Sequence, residues 1–354
     1  MSLVITGKLL QIQTPPQLHS VSNFYILQST TIKHLRFTLL FSGLFPKIGK
    51  IATIKLLLLI NLHFQIFMTV ATKPLSNYIA VVFDFDDTLV PDTVDSLLES
   101  LNIDALKFRS QRIQPLIDSG WDKILARFYA IIEESKRQGN KITQEYLANF
   151  GKKLAPFDGV PEMFDRLPQS AYAINPKVEV EFYLISCGMV EIARNNCIAP
   201  KFKAMWGCEF HYGKEGGIEF LKKIVTHTEK TRYLFQLAKG VDNAPKDDGK
   251  TFVYRDVPAE ELHIPLTQVI YVGDGASDIP CFSLLNEQQG ITIGVYKDST
   301  PQDWSQEIEI SQSQRLINLA SAEYSEDSEL MRSLTLAVES LAKKISLLPL
   351  SVDE

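Results

Sequence analysis

Apolar positions along the chain follow two patterns. Four short continuous runs, Tyr78 to Phe83, Val178 to Ile185, Val269 to Val272 and Gly290 to Tyr296, are rich in Val, Ile, Phe and Tyr, as strands buried on both faces are. Three of them end on polar residues: the first at Asp84, the second at Ser186 followed by Cys187 and Gly188, the third through Gly273 at Asp274. Helical spacing fills the intervals. Ile124, Phe128, Ile131 and Ile132 recur at that spacing within Trp121 to Arg137, and Thr143 is placed as the N-cap of a helix carrying Tyr146, Leu147, Phe150 and Leu154. Strands separated by helices predict βαβ units, hence an α/β fold built on a Rossmann-like doubly wound parallel sheet. Ligands bind such sheets beyond the carboxyl ends of the strands. Three polar strand ends therefore predict one site.

The helical stretch over 91–170 exceeds a single crossover, so it is expected to form a helical cap inserted after the first strand, with 68–90 and 171–354 as the catalytic core. Glu209 to Tyr212 and Ile218 to Phe220, around Gly213, Gly216 and Gly217, predict a β-hairpin. Asp327 to Ser346 predicts an amphipathic helix packing through Leu330, Leu334, Val338 and Leu341. Residues 1–67 hold six Lys or Arg and no acid, and are expected to be a separate extension, either a targeting segment or sequence upstream of a true start at Met68. Their apolar stretch, Leu56 to Met68, is broken by Asn61, His63 and Gln65 and falls short of the roughly 20 apolar residues of a spanning helix, so membrane contact is not expected.

The formal net charge of −6 hides an asymmetry: beyond that extension 30 basic face 42 acidic residues, a formal −12. Such a body argues against nucleic acid as a partner and for a small molecule. Cys187, Cys197, Cys208 and Cys281 show neither metal-site spacing nor the density of a disulfide scaffold, which fits buried thiols in the cytoplasm.

The chemistry concentrates in two clusters. Asp84-Phe85-Asp86-Asp87-Thr88-Leu89 follows a fully apolar strand and is the stronger signal; a solvated turn or helix start is the alternative reading, yet acids at the end of a buried strand need positive compensation. Gly273-Asp274-Gly275-Ala276-Ser277-Asp278 follows another such strand and alone reads as a simple turn. Together Asp84, Asp86, Asp274 and Asp278 suit Mg²⁺, which takes oxygen ligands and a substrate phosphate. Ser186 offers donors and Lys230 positive charge beside them.

In order, Asp84 to Thr88, the strand ending at Ser186, Lys230, and Asp274 to Asp278 resemble the four motifs of the haloacid dehalogenase superfamily, over residues 79–296. Ser-x-Gly at Ser186 and Gly-Asp-Gly-x-Ser-Asp at Gly273 resemble its phosphoserine-phosphatase-like branch, from whose pattern Cys187 and Ser277 depart. The resemblance implies a Mg²⁺-dependent phosphatase acting on a small phosphorylated metabolite through an aspartyl-phosphate, with a phosphotransferase, a phosphomutase or a catalytically silent binding protein as alternatives. It implies Asp84 as nucleophile, Asp86 as general acid and base, and Thr88, Ser186, Cys187, Gly188 and Lys230 around the phosphoryl group. The metal would take Asp84, the Asp86 main-chain carbonyl and Asp274, supported by Asp278. The presence of Asp86 disfavours the superfamily's dehalogenases. Arg109, Arg112, Trp121, Lys123 and Arg127, in the insertion, read as solvated or packing positions.

Overall fold

The computed structural model describes residues 2–5, 8–11, 76–241, 253–296 and 318–347. The chain divides into two units, Met1–Lys73 and Pro74–Glu354. In the first, β1 (Ser2–Ile5) and β2 (Lys8–Gln11) pair antiparallel with Ser2 opposite Gln11. The stretch Leu56 to Met68 lies outside the described residues.

The second unit opens on β3 (Tyr78–Phe83). Helix α1 (Thr93–Ser100) follows, its N-terminus capped by Asp92, whose carboxylate accepts from the N–H groups of Val94 and Asp95. Short helical turns over 105–118 include a π-helical segment, Arg109–Ile113. Helix α2 (Lys123–Arg137) buries Ile124, Phe128, Ile131 and Ile132, and α3 (Gln144–Lys153) is capped by Thr143. Then come α4 (Val160–Ile174), β4 (Glu179–Met189), α5 (Val190–Asn195), β5 (Ala204–Tyr212) and β6 (Ile218–Lys223). The chain continues through α6 (Glu229–Lys239), β7 (Val269–Gly273), α7 (Ile279–Glu287), β8 (Ile291–Tyr296), β9 (Asn318–Ser321) and α8 (Glu329–Leu347).

Seven strands form one sheet in the order β6-β5-β4-β3-β7-β8-β9, parallel except for β6, which pairs antiparallel with β5 as the predicted hairpin. Leaving β6 aside, the parallel strands run 3-2-1-4-5-6 in chain order, the doubly wound arrangement with its reversal point between β3 and β7. Residues paired across a parallel ladder share a face, so the register assigns the covering helices. Phe83 aligns with Val272 and meets Phe164 of α4 edge-on at 6.4 Å. Val82 aligns with Tyr271, which meets Phe282 of α7 at 5.6 Å on the other face. Helix α4, inside the stretch expected to be cap, thus packs on the sheet and on α8. Among the described residues no helix is long and apolar enough to cross a membrane.

Candidate active site

Strand β3 is buried along its length except at Tyr78 because it lies between β4 and β7. Its ladder to β7 ends where the Asp84 N–H donates to the Val272 carbonyl, 2.9 Å. By alternation the Asp84 side chain shares the face of Val82 and Tyr271, the face covered by α7. Lys230, in the first turn of α6, reaches it there: Lys230 Nζ lies 2.8 Å from Asp84 Oδ2 and 2.7 Å from Asp278 Oδ1, and donates to Ser277 Oγ at 3.1 Å. The buried Tyr271 hydroxyl donates to Asp278 Oδ1 at 2.7 Å, and the Phe85 N–H to Asp84 Oδ1 at 2.7 Å. Lys230 is 0% exposed. Burial works against its charge, yet Asp278 and Asp84 outweigh that and raise its pKa well above the ordinary lysine value.

Asp84, Asp274 and Asp278 each present a carboxylate oxygen within 4.8 Å of one another. Burial raises the Asp84 pKa, opposed by Lys230 and reinforced by Asp278. Asp274 is raised well above the carboxylate range by burial and then by the charges of Asp84 and Asp278. Three converging carboxyls facing one ammonium are undercompensated, and the donors are all oxygen; a hard divalent cation fits this set.

Beyond Asp86 the chain turns through a left-handed Asp87, φ 51°. Asp86 Oδ1 accepts the Thr93 N–H at 2.7 Å, and Ser186 Oγ stands 3.5 Å from Asp86 Oδ2. The Asp86 pKa rises to about 7, chiefly through burial and then through the charge of Asp92. Strand β4 carries on through Ser186 and Cys187, and the Gly188 N–H donates to Ser186 Oγ at 2.8 Å. A methyl on Gly188 would lie 2.2 Å from Asp86 Oδ2, so only glycine lets these two elements meet.

Asp84, Asp86, Ser186, Cys187 and Asp274 line a cavity of about 280 Å³ at the carboxyl ends of the strands. Lys230, Asp278 and Gly188 stand directly behind this lining. Thr88 does not join them: past the turn at Asp87 its side chain faces the core, fully buried, and its carbonyl accepts from the Tyr324 hydroxyl at 2.9 Å. Cys187 is a buried thiol with its pKa pushed up to about 12, first by burial, so it brings its backbone to the site and no thiolate. Of the five insertion residues, Arg109, Lys123 and Arg127 line the cavity while Arg112 and Trp121 do not. The sequence reading also missed His227 on the cavity wall and Tyr271 behind Asp278. A tyrosine in the middle of a buried strand, three residues before Asp274, was a legible sign of a hydroxyl needing an acceptor.

No protein-family model matches the chain. An uncharacterised protein of Borreliella burgdorferi (strain ATCC 35210 / DSM 4680 / CIP 102532 / B31) is 27% identical over 236 residues, 59% of this chain and 79% of its own length. Among solved structures, the chain is similar to a HAD family hydrolase from Salmonella enterica subsp. enterica serovar Typhi, at 16% identity and a TM-score of 0.45 over 66% of each chain. It is also similar to a phosphoserine phosphatase in apo form, at 15% identity and a TM-score of 0.45 over 73% of this chain and 97% of that one.

Proposed function

We propose that the chain is a Mg²⁺-dependent phosphomonoester hydrolase of the haloacid dehalogenase superfamily that works through an aspartyl-phosphate on Asp84. The observation that carries this reading is the Asp84 carboxylate, held by Lys230 and the Phe85 N–H within the acid cluster at the reversal point of the sheet, with Asp86 at its side. Mg²⁺, held by Asp84, Asp274 and the Asp86 carbonyl with Asp278 in support, would neutralise and orient the phosphoryl oxygens. Asp84 attacks phosphorus, the bond to the leaving oxygen breaks, and Asp86, protonated near neutral pH, gives that oxygen its proton. Water then attacks the phosphorylated Asp84 and passes a proton back to Asp86. Ser186 Oγ and the backbone N–H groups at the end of β4 are donors for the phosphoryl oxygens, and Lys230 aims Asp84 and opposes the burial that raises its pKa.

The test uses the full chain and ³²P-labelled phosphomonoesters. Turnover should vanish in excess chelator and return with Mg²⁺, and Asp84→Asn should lower it by roughly 10³-fold or more with the fold intact by circular dichroism. Acid-quenched wild type should carry label on Asp84. Label on Ser186 or Cys187, or full turnover in chelator, overturns the reading.

A further inference from the structure

The wall of the cavity opposite the acid cluster has a chemistry of its own. Helix α2 and the turns before it contribute Ile113, Ile117 and Ile124, together with Lys123 and Arg127. Arg127 lines the cavity and donates through Nη2 to the Cys187 carbonyl at 3.2 Å, beside Ser186. Its charge also reaches Asp86, whose pKa it lowers. The Lys123 side chain makes no ion pair or hydrogen bond among the described residues and lines the cavity. His227 faces the same space, held toward its neutral form by burial and by Lys230, and offers a ring N–H. A guanidinium on the cavity wall that spends one N–H on a backbone carbonyl and pairs with no carboxylate among the described residues keeps charge and donors for an anionic ligand.

The acids on this side are already engaged. Asp92 caps α1 and pairs with Arg109 at 2.9 Å, Arg109 also holds Asp95 at 2.7 Å, and Asp87 accepts the Asp92 N–H at 3.1 Å. The wall therefore offers positive charge and N–H donors to the leaving group, and no uncommitted carboxylate to a substrate ammonium. A cavity of about 280 Å³ admits a phosphoryl group with a few further heavy atoms and excludes a nucleotide-sized ligand.

We propose that Arg127, flanked by Lys123 and His227, forms a specificity subsite for a second anionic group on the leaving group. The preferred substrate is a compact phosphomonoester with a short apolar carbon frame and a carboxylate or second phosphate, and without an ammonium. The subsite rests on the phosphatase reading for where the transferred phosphoryl group sits.

Four phosphomonoesters with leaving groups of different charge and one bisphosphate test it: phospholactate (anionic), ethyl phosphate (uncharged), O-phosphoserine (zwitterionic), phosphoethanolamine (cationic) and ethylene glycol bisphosphate. Their binding to the full-length Asp84→Asn chain with Mg²⁺ is measured by calorimetry, and their kcat/KM on the wild type. Phospholactate or the bisphosphate should exceed ethyl phosphate by about 10-fold or more, as a charged hydrogen bond allows, and whichever of the two is favoured identifies the second anion. O-phosphoserine should fall below phospholactate and phosphoethanolamine should be weakest. In Lys123→Gln and Arg127→Gln the anionic-to-uncharged ratio should drop about 10-fold, a ratio that general damage to the site leaves in place. Equal binding of anionic and uncharged probes, a preference for O-phosphoserine, an unchanged ratio in both variants, or binding of no probe overturns the subsite. Selective binding with no turnover by the wild type upholds the subsite and sinks the phosphatase reading instead.

Discussion

Asp86 shows how one residue inherits its chemistry from its neighbours. Its carboxyl accepts the Thr93 N–H at the start of α1, which favours the ionised form, but burial and the negative Asp92 prevail and raise the pKa from 3.8 to about 7. Because the folded value is the higher one, the group favours folding most when it is protonated in both states, below pH 3.8. That contribution is lost as the pH rises through about 7. In chelator, the stability of the wild type relative to Asp86→Asn should accordingly fall between pH 5 and pH 8. Since Asp86 is partly open to the cavity, the change should be on the order of 1–2 kcal/mol by urea denaturation. A flat difference across that range would show that Asp86 is an ordinary solvated carboxylate and remove the physical basis for its acid role.

At the scale of elements, the site is a meeting of strand ends, and its tightest point is where β4 passes Asp86. Gly188→Ala places a methyl 2.2 Å from Asp86 Oδ2 and 3.1 Å from Ser186 Oγ, so either the strand end or the acid must shift. Displacement of that order in a reacting group costs on the order of 10²-fold, and Gly188→Ala should therefore lower kcat by about that factor while thermal stability falls only modestly, checked by kinetics beside calorimetry. The strand ends were legible because buried parallel strands are nearly continuous apolar runs: Tyr78–Phe83 was read without error, and the runs ending at Ser186 and Asp274 fell at the right edge. Most of β5 was not, because its first five residues, Ala204 to Cys208, include no β-branched residue and a single aromatic, and β9 is only 4 residues long. Helix α4 was read as part of the cap since nothing local separates a crossover helix from an inserted one; only packing on β4 and α8 does. Arg127 and Lys123 looked like solvated positions for the same reason, as tertiary placement alone turns that side of α2 toward the acids. Thr88 was misplaced in the opposite direction: its motif neighbours face the site, but the left-handed turn at Asp87 sends it into the core.

Across the whole molecule, the sheet determines what the chemistry requires. The reversal of winding between β3 and β7 opens the crevice that receives Asp84 and Asp274, and α6, on the face of Val82 and Tyr271, carries the lysine that compensates them. Among the described residues every neighbour of these strands comes from the second unit: β3 lies between β4 and β7, β7 between β3 and β8, and the sheet edges are β6 and β9. All seven strands begin at or after Tyr78, and the division between units falls at Lys73 and Pro74. Among the described residues no strand of the first unit belongs to the sheet, and β1 and β2 pair with each other. Segments that contribute no core strand add little to the stability of the remainder. A chain beginning at Met68 should therefore express as a monodisperse protein, unfold cooperatively within a few degrees of the full chain, as a change below about 1 kcal/mol implies, and match its kcat/KM on phosphomonoesters. The comparison is made by scanning calorimetry and steady-state kinetics on both proteins side by side. Aggregation or a large loss of activity in the shorter chain alone would mean that residues 1–67 support the second unit, and the expectation of a separable extension would have to be given up.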